Sequence, residues 1–386
     1  MFFITREIDV ADLYTETTNK NWFQNIADSF LGIIFGIILF LASFYVLWWN
    51  EGRLNPAKIA QQSTPISATT IDPKNNDKFV SVSAPIESSE TLGDEWLKPG
   101  HFIVLIRNSK MYAWVEKKAE TTQKELGGGS TTTTTYSYEK KWTEYPEATS
   151  SFKHPEGHEN PVMQIKQTKT ACKAAKLGAY NVSPSYIPSN SQALIQVPLT
   201  PKNTTLKKDE FLSQNYIFKG KGNIEAPELG DIQISYYALE QGSKMTAFGL
   251  LQDDKIVPHA YQDEEVFCQI RAGNRNEAIA SMSSEFKFTL WVLRGIGFLM
   301  MAFGLLLFFG PIFAILDIVP FLGSISKSLF FVFSLLISFV LSTATILISM
   351  VLHNIWALML TILALIVLFL YLFTKRRRKS LTTTAN

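Results

Sequence analysis

Two histidines and a carboxylate within five residues, His154-Pro155-Glu156-Gly157-His158, are the part of this 386-residue chain whose side chains most directly suggest metal or acid–base chemistry. A zinc-binding helix puts the histidines of H-E-x-x-H one turn apart on one face, with the glutamate beside the metal-bound water. Here the glutamate is third, and Pro155 and Gly157 oppose the helix that would align the imidazoles. The segment reads as a structured polar turn, with no catalytic residue, metal ligand or cofactor assigned.

Other candidate chemistries fail on spacing. Gly127-Gly128-Gly129-Ser130, followed by a run of threonines, lacks the G-K-[ST] ending of a phosphate loop and reads as a flexible hairpin connection. No G-x-S-x-G elbow exposes a serine nucleophile. Cys172 and Cys268 are too few for a disulfide scaffold and lack paired metal-site spacing; whether they bridge stays open. Lys+Arg 36 against Asp+Glu 34 leaves a formal charge of +2, without the basic excess a nucleic-acid partner requires.

The elements that position these residues are set by the membrane. Hydrophobic residues make up 47% of the chain and the mean hydropathy is +0.09, high for a soluble protein. Ser29 to Asn50 carries no charge and supplies the roughly 20 apolar residues that cross about 30 Å of hydrocarbon, with Tyr45, Trp48 and Trp49 suited to the interface. A second uncharged run covers Gly295 to Leu316, and Ser328 to Thr374 is long enough for two spans turning at His353-Asn354. The tail Lys375-Arg376-Arg377-Arg378-Lys379 predicts a cytoplasmic C-terminus. Counting back through four spans makes the N-terminus cytoplasmic as well.

The predicted organisation is a cytoplasmic segment 1–28, membrane helix 29–49, a β-rich periplasmic or lumenal domain 50–287, and membrane helix 288–310. A cytoplasmic-side connector 311–327, membrane helices 328–352 and 355–374, and a basic tail 375–386 complete it. The fold class is thus an α+β membrane protein. In the large domain, Phe102–Arg107 and Met111–Glu116 read as two strands joined by the polar turn Asn108-Ser109-Lys110. Thr132–Trp142 returns as a third strand, and five later β segments suggest an antiparallel meander. Asn274 with Glu277 resembles a capping box that starts a helix continuous with the second span.

The membrane interior is uncharged, which argues against an ion pathway: Arg294 lies near the outer boundary, where its side chain can snorkel. The connector is too apolar for a solvated loop, and Pro311 and Pro320 interrupt it. It is predicted to lie along the interface, with Pro311, Asp317, Pro320 and Lys327 as candidate contact residues.

In this order the segments resemble the LUMA, or transmembrane protein 43, family, which has one N-terminal span, a large lumenal domain and three C-terminal spans. The resemblance rests on Asn50-Glu51-Gly52-Arg53 after the first span and on Lys110-Met111-Tyr112-Ala113-Trp114-Val115-Glu116. It extends to the strand with Tyr136, Tyr138 and Trp142, to Gly157-His158-Glu159-Asn160-Pro161, to Pro227 through Gly230-Asp231 and Ser235, and to Asp317-Ile318-Val319-Pro320. Lys110, Ala113 and Gln233 depart from the family pattern of Glu, Gln and Arg.

The resemblance implies an integral protein of the endoplasmic reticulum and inner nuclear membrane that self-associates and organises other membrane proteins without catalysis. The short N-terminus and the missing retention and lamina signals point instead to a bacterial inner membrane. The expected function is a non-enzymatic multi-pass scaffold whose partners are the lipid bilayer, its own copies and other membrane proteins. An ancillary subunit or oligomeric channel-like protein is the second class, and a membrane-tethered metal-dependent enzyme the third.

Overall fold

A computed structural model describes residues 12–261, 265–316 and 320–354, together with the single positions 359 and 363. In chain order the elements begin with β1 (Leu13–Lys20), α1 (Trp22–Gly52), α2 (Pro56–Gln61), β2 (Thr64–Ile66), β3 (Phe79–Glu87), β4 (Phe102–Lys124) and β5 (Ser130–Thr143). Short strands follow: β6 (Thr168–Ala171), β7 (Ala175–Leu177), β8 (Tyr180–Val182), β9 (Ile195–Gln196), β10 (Glu210–Ser213) and β11 (Tyr216–Lys219). The long pair β12 (Ile232–Glu240) and β13 (Lys244–Gln252) leads to β14 (Lys255–Val257), β15 (His259–Tyr261), β16 (Glu265–Phe267) and β17 (Gln269–Ala272). Three helices close the described chain: α3 (Arg275–Phe308), α4 (Gly310–Leu316) and α5 (Pro320–Leu352).

Two compact units emerge, Met1–Thr17 with Asn55–Thr121 and Thr133–Ser284, and Thr18–Leu54 with Thr122–Thr132 and Glu285–Asn386. In the first, the expected single meander is two large sheets and a two-stranded ribbon, β15-β16. One runs β1-β5-β4-β12-β11-β10, with β6 beside β4 and β9 beside β12; the other runs β17-β13-β14-β8-β7-β3-β2. Pairing is mostly antiparallel, but β2–β3 and β8–β14 are parallel. The core draws on both sheets: Ile103, Ile217, Ile234 and Tyr236 from one, and Val80, Val82, Leu177 and Met245 from the other, are fully or almost fully buried.

Two sequence expectations change here. The polar trio Asn108-Ser109-Lys110 is no turn, because β12 pairs continuously along it, Ser109 opposite Ile234, and the Ser109 hydroxyl donates to Ile165 O at 2.8 Å. Its backbone is paired to β12 and the Ser109 hydroxyl is satisfied, so β4 has no reason to break. Residues 13–20, expected inside a cytoplasmic segment, form β1 hydrogen-bonded to β5.

In the second unit, α1, α3 and α5 are each long and apolar enough to cross a membrane, one near the N-terminus and two toward the C-terminus. Three of the four expected spans are therefore present among the described residues; the helix expected at 355–374 and the tail 375–386 lie outside them. Helix α1 starts earlier than its charge-free run, at a capping box in which Asn21 Oδ1 accepts from Gln24 N and Gln24 Oε1 accepts from Asn21 N. Glycines bring α1 and α3 together: a Cβ on Gly36 would lie 2.8 Å from Gly304 O, and one on Gly304 2.8 Å from Phe40 N.

The expected box at the start of α3 is formed, Asn274 Oδ1 accepting from Asn276 N and Glu277 N while Glu277 Oε2 accepts from Asn274 N. The connector is more helical than expected, since Pro311 lies in the first turn of α4 and Pro320 begins α5. Proline without an N–H is well placed at a first helical position, so these prolines start helices where the sequence suggested breaks. Asp317 and the side chains of Pro320 and Lys327 lie outside the described residues.

Candidate functional site

The motif residues gather in two places, one in each unit. In the β-rich unit, Tyr112, Trp114 and Glu116 alternate along β4, and Tyr136 and Tyr138 alternate along β5, so period-two geometry delivers each set to one face. The segment after β5 folds onto this face. Asn160 Oδ1 accepts from Trp114 N at 2.7 Å and its Nδ2 donates to Trp114 O at 2.9 Å, so one side-chain amide takes the place of a neighbouring strand. Trp142 packs 5.5 Å from the Tyr112 ring.

The two histidines are close, but they face different partners, and His154 Nε2 is buried without a hydrogen-bond partner among the described residues. His158 is buried; its Nδ1 donates to His154 O at 3.0 Å, its Nε2 lies 3.2 Å from Asp12 Oδ1, and its ring stacks on Tyr138 at 3.9 Å. His154 stacks on Tyr14 at 4.2 Å, with Nε2 3.8 Å from Glu16. Glu116, between these groups, accepts from Tyr138 Oη at 2.5 Å and from Lys153 N at 2.6 Å. Burial, reinforced by the Glu116 hydrogen bond, pushes the Tyr138 phenol up to about 12. Among the described residues no three His, Cys, Asp or Glu side chains converge as metal ligands.

A third motif meets the same face. Asp231 is buried, and its carboxylate accepts from Lys221 N, Gly222 N and Glu228 N, folding the loop before β12. Gly230 has φ +91°, and a Cβ there would approach Pro161 Cγ at 2.9 Å. The backbone of Tyr112 bonds to both residues, accepting from Gly230 N and donating to Asp231 O. Residues more than a hundred positions apart in sequence thus form one lock, in which Met111 is also buried.

Sequence reading missed a neighbouring polar cluster. Asp94 accepts from Tyr236 Oη at 2.7 Å, Arg107 Nη1 at 2.7 Å, and the amides of Trp96 and Leu97 at 3.0 Å. Burial alone would raise its carboxyl, but these donors together hold it below the ordinary carboxylate range. Arg107 could be read as a strand residue, but nothing in the spacing of Asp94, Arg107 and Tyr236 announces their meeting. Both cysteines are free, Cys172 buried and Cys268 partly so.

In the helical unit, Asn50-Glu51-Gly52-Arg53 forms a clasp at the end of α1. Glu51 accepts two hydrogen bonds from Arg294, at 2.7 and 2.8 Å, with side-chain exposures of only 5% and 15%. Arg294 is therefore paired inside the protein, and the expectation that it snorkels is replaced. Asn50 Nδ2 donates to Leu290 O at 3.0 Å, and its Oδ1 accepts from Arg53 Nε at 3.1 Å. The Arg53 guanidinium stands 5.1 Å from the Phe286 ring. Gly52 leaves room for the His353 ring, which a Cβ would strike.

A family model described as transmembrane protein 43 matches residues 111–355. Transmembrane protein 43 of Rattus norvegicus is 23% identical over 332 residues, 79% of this chain and 80% of the relative. The Homo sapiens protein is 23% identical over 330 residues with the same coverage, and the Drosophila melanogaster homolog 24% over 242 residues, 58% of this chain and 62% of its own. These relatives are eukaryotic, and the expected bacterial inner membrane finds no support among them. No solved structure matches the chain.

Proposed function

We propose, from the premise that the chain belongs to the transmembrane protein 43 family, that it is a non-enzymatic multi-pass scaffold. It self-associates and organises membrane protein complexes through its β-rich domain and its membrane helices. One observation carries this reading. The polar atoms of the motif residues Asn50, Glu51, Glu116, Asn160 and Asp231 are spent on the chain's own backbone and side chains. Such residues hold a shape that partners can recognise; a catalytic set would leave acid, base or nucleophile facing a substrate.

In this proposal the β-rich domain is lumenal, in the endoplasmic reticulum or nuclear envelope, the four-span count holds, and the tail is cytoplasmic.

The experiment is mass determination of the full chain in detergent by light scattering, with metal analysis of the same sample. A discrete oligomer without stoichiometric metal is expected. A monomer would remove the scaffold reading, and one zinc per chain that is lost on His154→Ala/His158→Ala would favour the enzyme class.

A further inference from the structure

We propose that Arg53, just past the last turn of α1, forms a site for the phosphate of one membrane phospholipid whose head group carries net negative charge. The site lies wholly in the helical unit. The Arg53 guanidinium stands 5.7 Å from the Trp49 ring and 5.1 Å from the Phe286 ring, and its Nε donates to Asn50 Oδ1 at 3.1 Å. These contacts fix the head of a long side chain before any ligand arrives. They do not neutralise it, because two aromatic rings and a neutral amide supply no countercharge.

The remaining donors of Arg53 find no acceptor among the described residues. Nη2 is enclosed without a hydrogen bond, and Nη1, which is not enclosed, makes none either. An uncompensated charge held in this way is costly, so its partner has to come from outside the chain. The neighbouring carboxylates are committed. Glu51 faces Arg294 at 2.7 Å, which leaves that pair neutral, and Glu285, one residue before Phe286, has a partner of its own. Lys287, one residue after Phe286, is an exposed second cation. A phosphate oxygen at Nη1 would make a charge-assisted hydrogen bond and compensate the charge that the delocalised guanidinium shares with Nη2.

The level of the site in the membrane selects a lipid. The charge-free run of α1 ends at Asn50 and that of α3 begins at Gly295, and Asn50 Nδ2 donates to Leu290 O, so Arg53 and Phe286 lie just outside the hydrocarbon on one side. Trp48 and Trp49 on α1, and Phe288 and Trp291 on α3, are exposed, as an interfacial aromatic belt is. Lipid phosphates are concentrated at this level. A second copy docked by the same helix ends would set Arg53 against like charge. A zwitterionic head group would bring its own amine toward Arg53 and Lys287, whereas one with net negative charge offers the phosphate without that repulsion.

The test is native mass spectrometry of the full chain, stripped by detergent exchange and then offered dioleoylphosphatidylglycerol or dioleoylphosphatidylcholine in mixed micelles. The wild-type chain should retain one phosphatidylglycerol about fivefold better than phosphatidylcholine, the contribution of one basic residue near a charged surface. Arg53→Gln should bring the two lipids to within about twofold of each other. Arg53→Lys, which keeps the charge, should keep most of the preference. Lys208→Gln, which removes an exposed cation of the β-rich unit, should keep all of it. Equal retention of the two lipids by the wild type would overturn the proposal even if Arg53→Gln is not recovered folded, and so would the wild-type preference in Arg53→Gln. Displacement of phosphatidylglycerol by an equal concentration of sn-glycerol 3-phosphate would overturn it by giving the site to a soluble anion. A loss of oligomeric mass in Arg53→Gln with an unchanged lipid count would overturn it by giving Arg53 to a second copy.

Discussion

The two motif clusters hold their residues by opposite means. In the β-rich lock, Asn160 and Asp231 satisfy backbone amides and carbonyls, and their neighbours are aromatic rings. In the helical clasp, two opposite charges, Glu51 and Arg294, face each other with almost no exposure. A neutral hydrogen bond contributes about 0.5–1.5 kcal/mol net, so the lock is a sum of modest, separable increments. A buried charge pair adds little beyond an apolar substitute, yet removing one member strands the other and costs about 3–5 kcal/mol. The lock should therefore degrade by degrees, while the clasp should fail at once.

The largest effect is expected at the clasp. Glu51→Ala leaves the Arg294 guanidinium with no carboxylate at a site where water is scarce, and should lower unfolding stability in detergent by about 3–5 kcal/mol. Glu51→Ala/Arg294→Met removes both charges and should recover most of the loss. Thermal unfolding of the four chains of this cycle measures the coupling. A double variant no more stable than Glu51→Ala would mean the clasp is held by something other than charge pairing.

Next comes the close approach of α1 and α3, tested away from any charge. Gly304→Leu puts a side chain 2.8 Å from the Phe40 amide nitrogen, and overpacking of this kind costs about 1–3 kcal/mol. A lowered midpoint is expected in thermal unfolding. Gly295→Leu, on the same helix in open space, should stay within about 0.5 kcal/mol of wild type.

How much of this was legible in the sequence differs between the two regions for a physical reason. Charge-free runs are local signals, and they located α1, α3 and α5 closely, as Asn274 and Glu277 located the start of α3. The meeting of Glu51 with Arg294 was not legible, because it depends on which faces of two helices turn together; Arg294 alone looks like a snorkelling residue. In the sheets, strand signals marked much of β4, β5, β12 and β13, but Asn108-Ser109-Lys110 looked like a turn, since strand continuity there is supplied by the partner β12. Strand β1 was missed altogether: Thr15, Glu16, Thr17 and Thr18 carry no apolar pattern, and only the edge of β5 gives them structure. The glycine turn read as flexible is instead fixed to α1, with Asn25 Nδ2 donating to Gly128 O at 2.9 Å.

A smaller effect is expected in the lock. Asn160→Ala removes both bonds to the Trp114 backbone, leaving an N–H and a carbonyl of β4 to find other partners, at a cost of about 1–3 kcal/mol. Hydrogen exchange should show faster exchange at the Trp114 amide while the core strands β12 and β13 keep their protection. Loss of protection throughout both sheets would show that the lock is as brittle as the clasp and erase the contrast.

The smallest effect separates the regions by pH. The Tyr138 phenol titrates near 12, raised from 10.0 chiefly by burial and then by its bond to Glu116. The folded state favours the neutral phenol, because ionisation would place a phenolate beside the Glu116 carboxylate. The stability this contributes is complete below pH 10 and is lost as the pH rises from 10 toward 12, since the unfolded chain releases that proton first. Tyr138→Phe should flatten this alkaline decline, leaving only the contribution of other tyrosines and lysines. Its own cost below pH 10 should be small, because Glu116 keeps the Lys153 amide as donor. Denaturation midpoints of wild type and Tyr138→Phe, measured from pH 8 to 11.5, read the difference between the two curves. Parallel curves would mean that the Glu116 and Tyr138 contact opens to water before it titrates, and that the lock, unlike the clasp, is not closed to solvent.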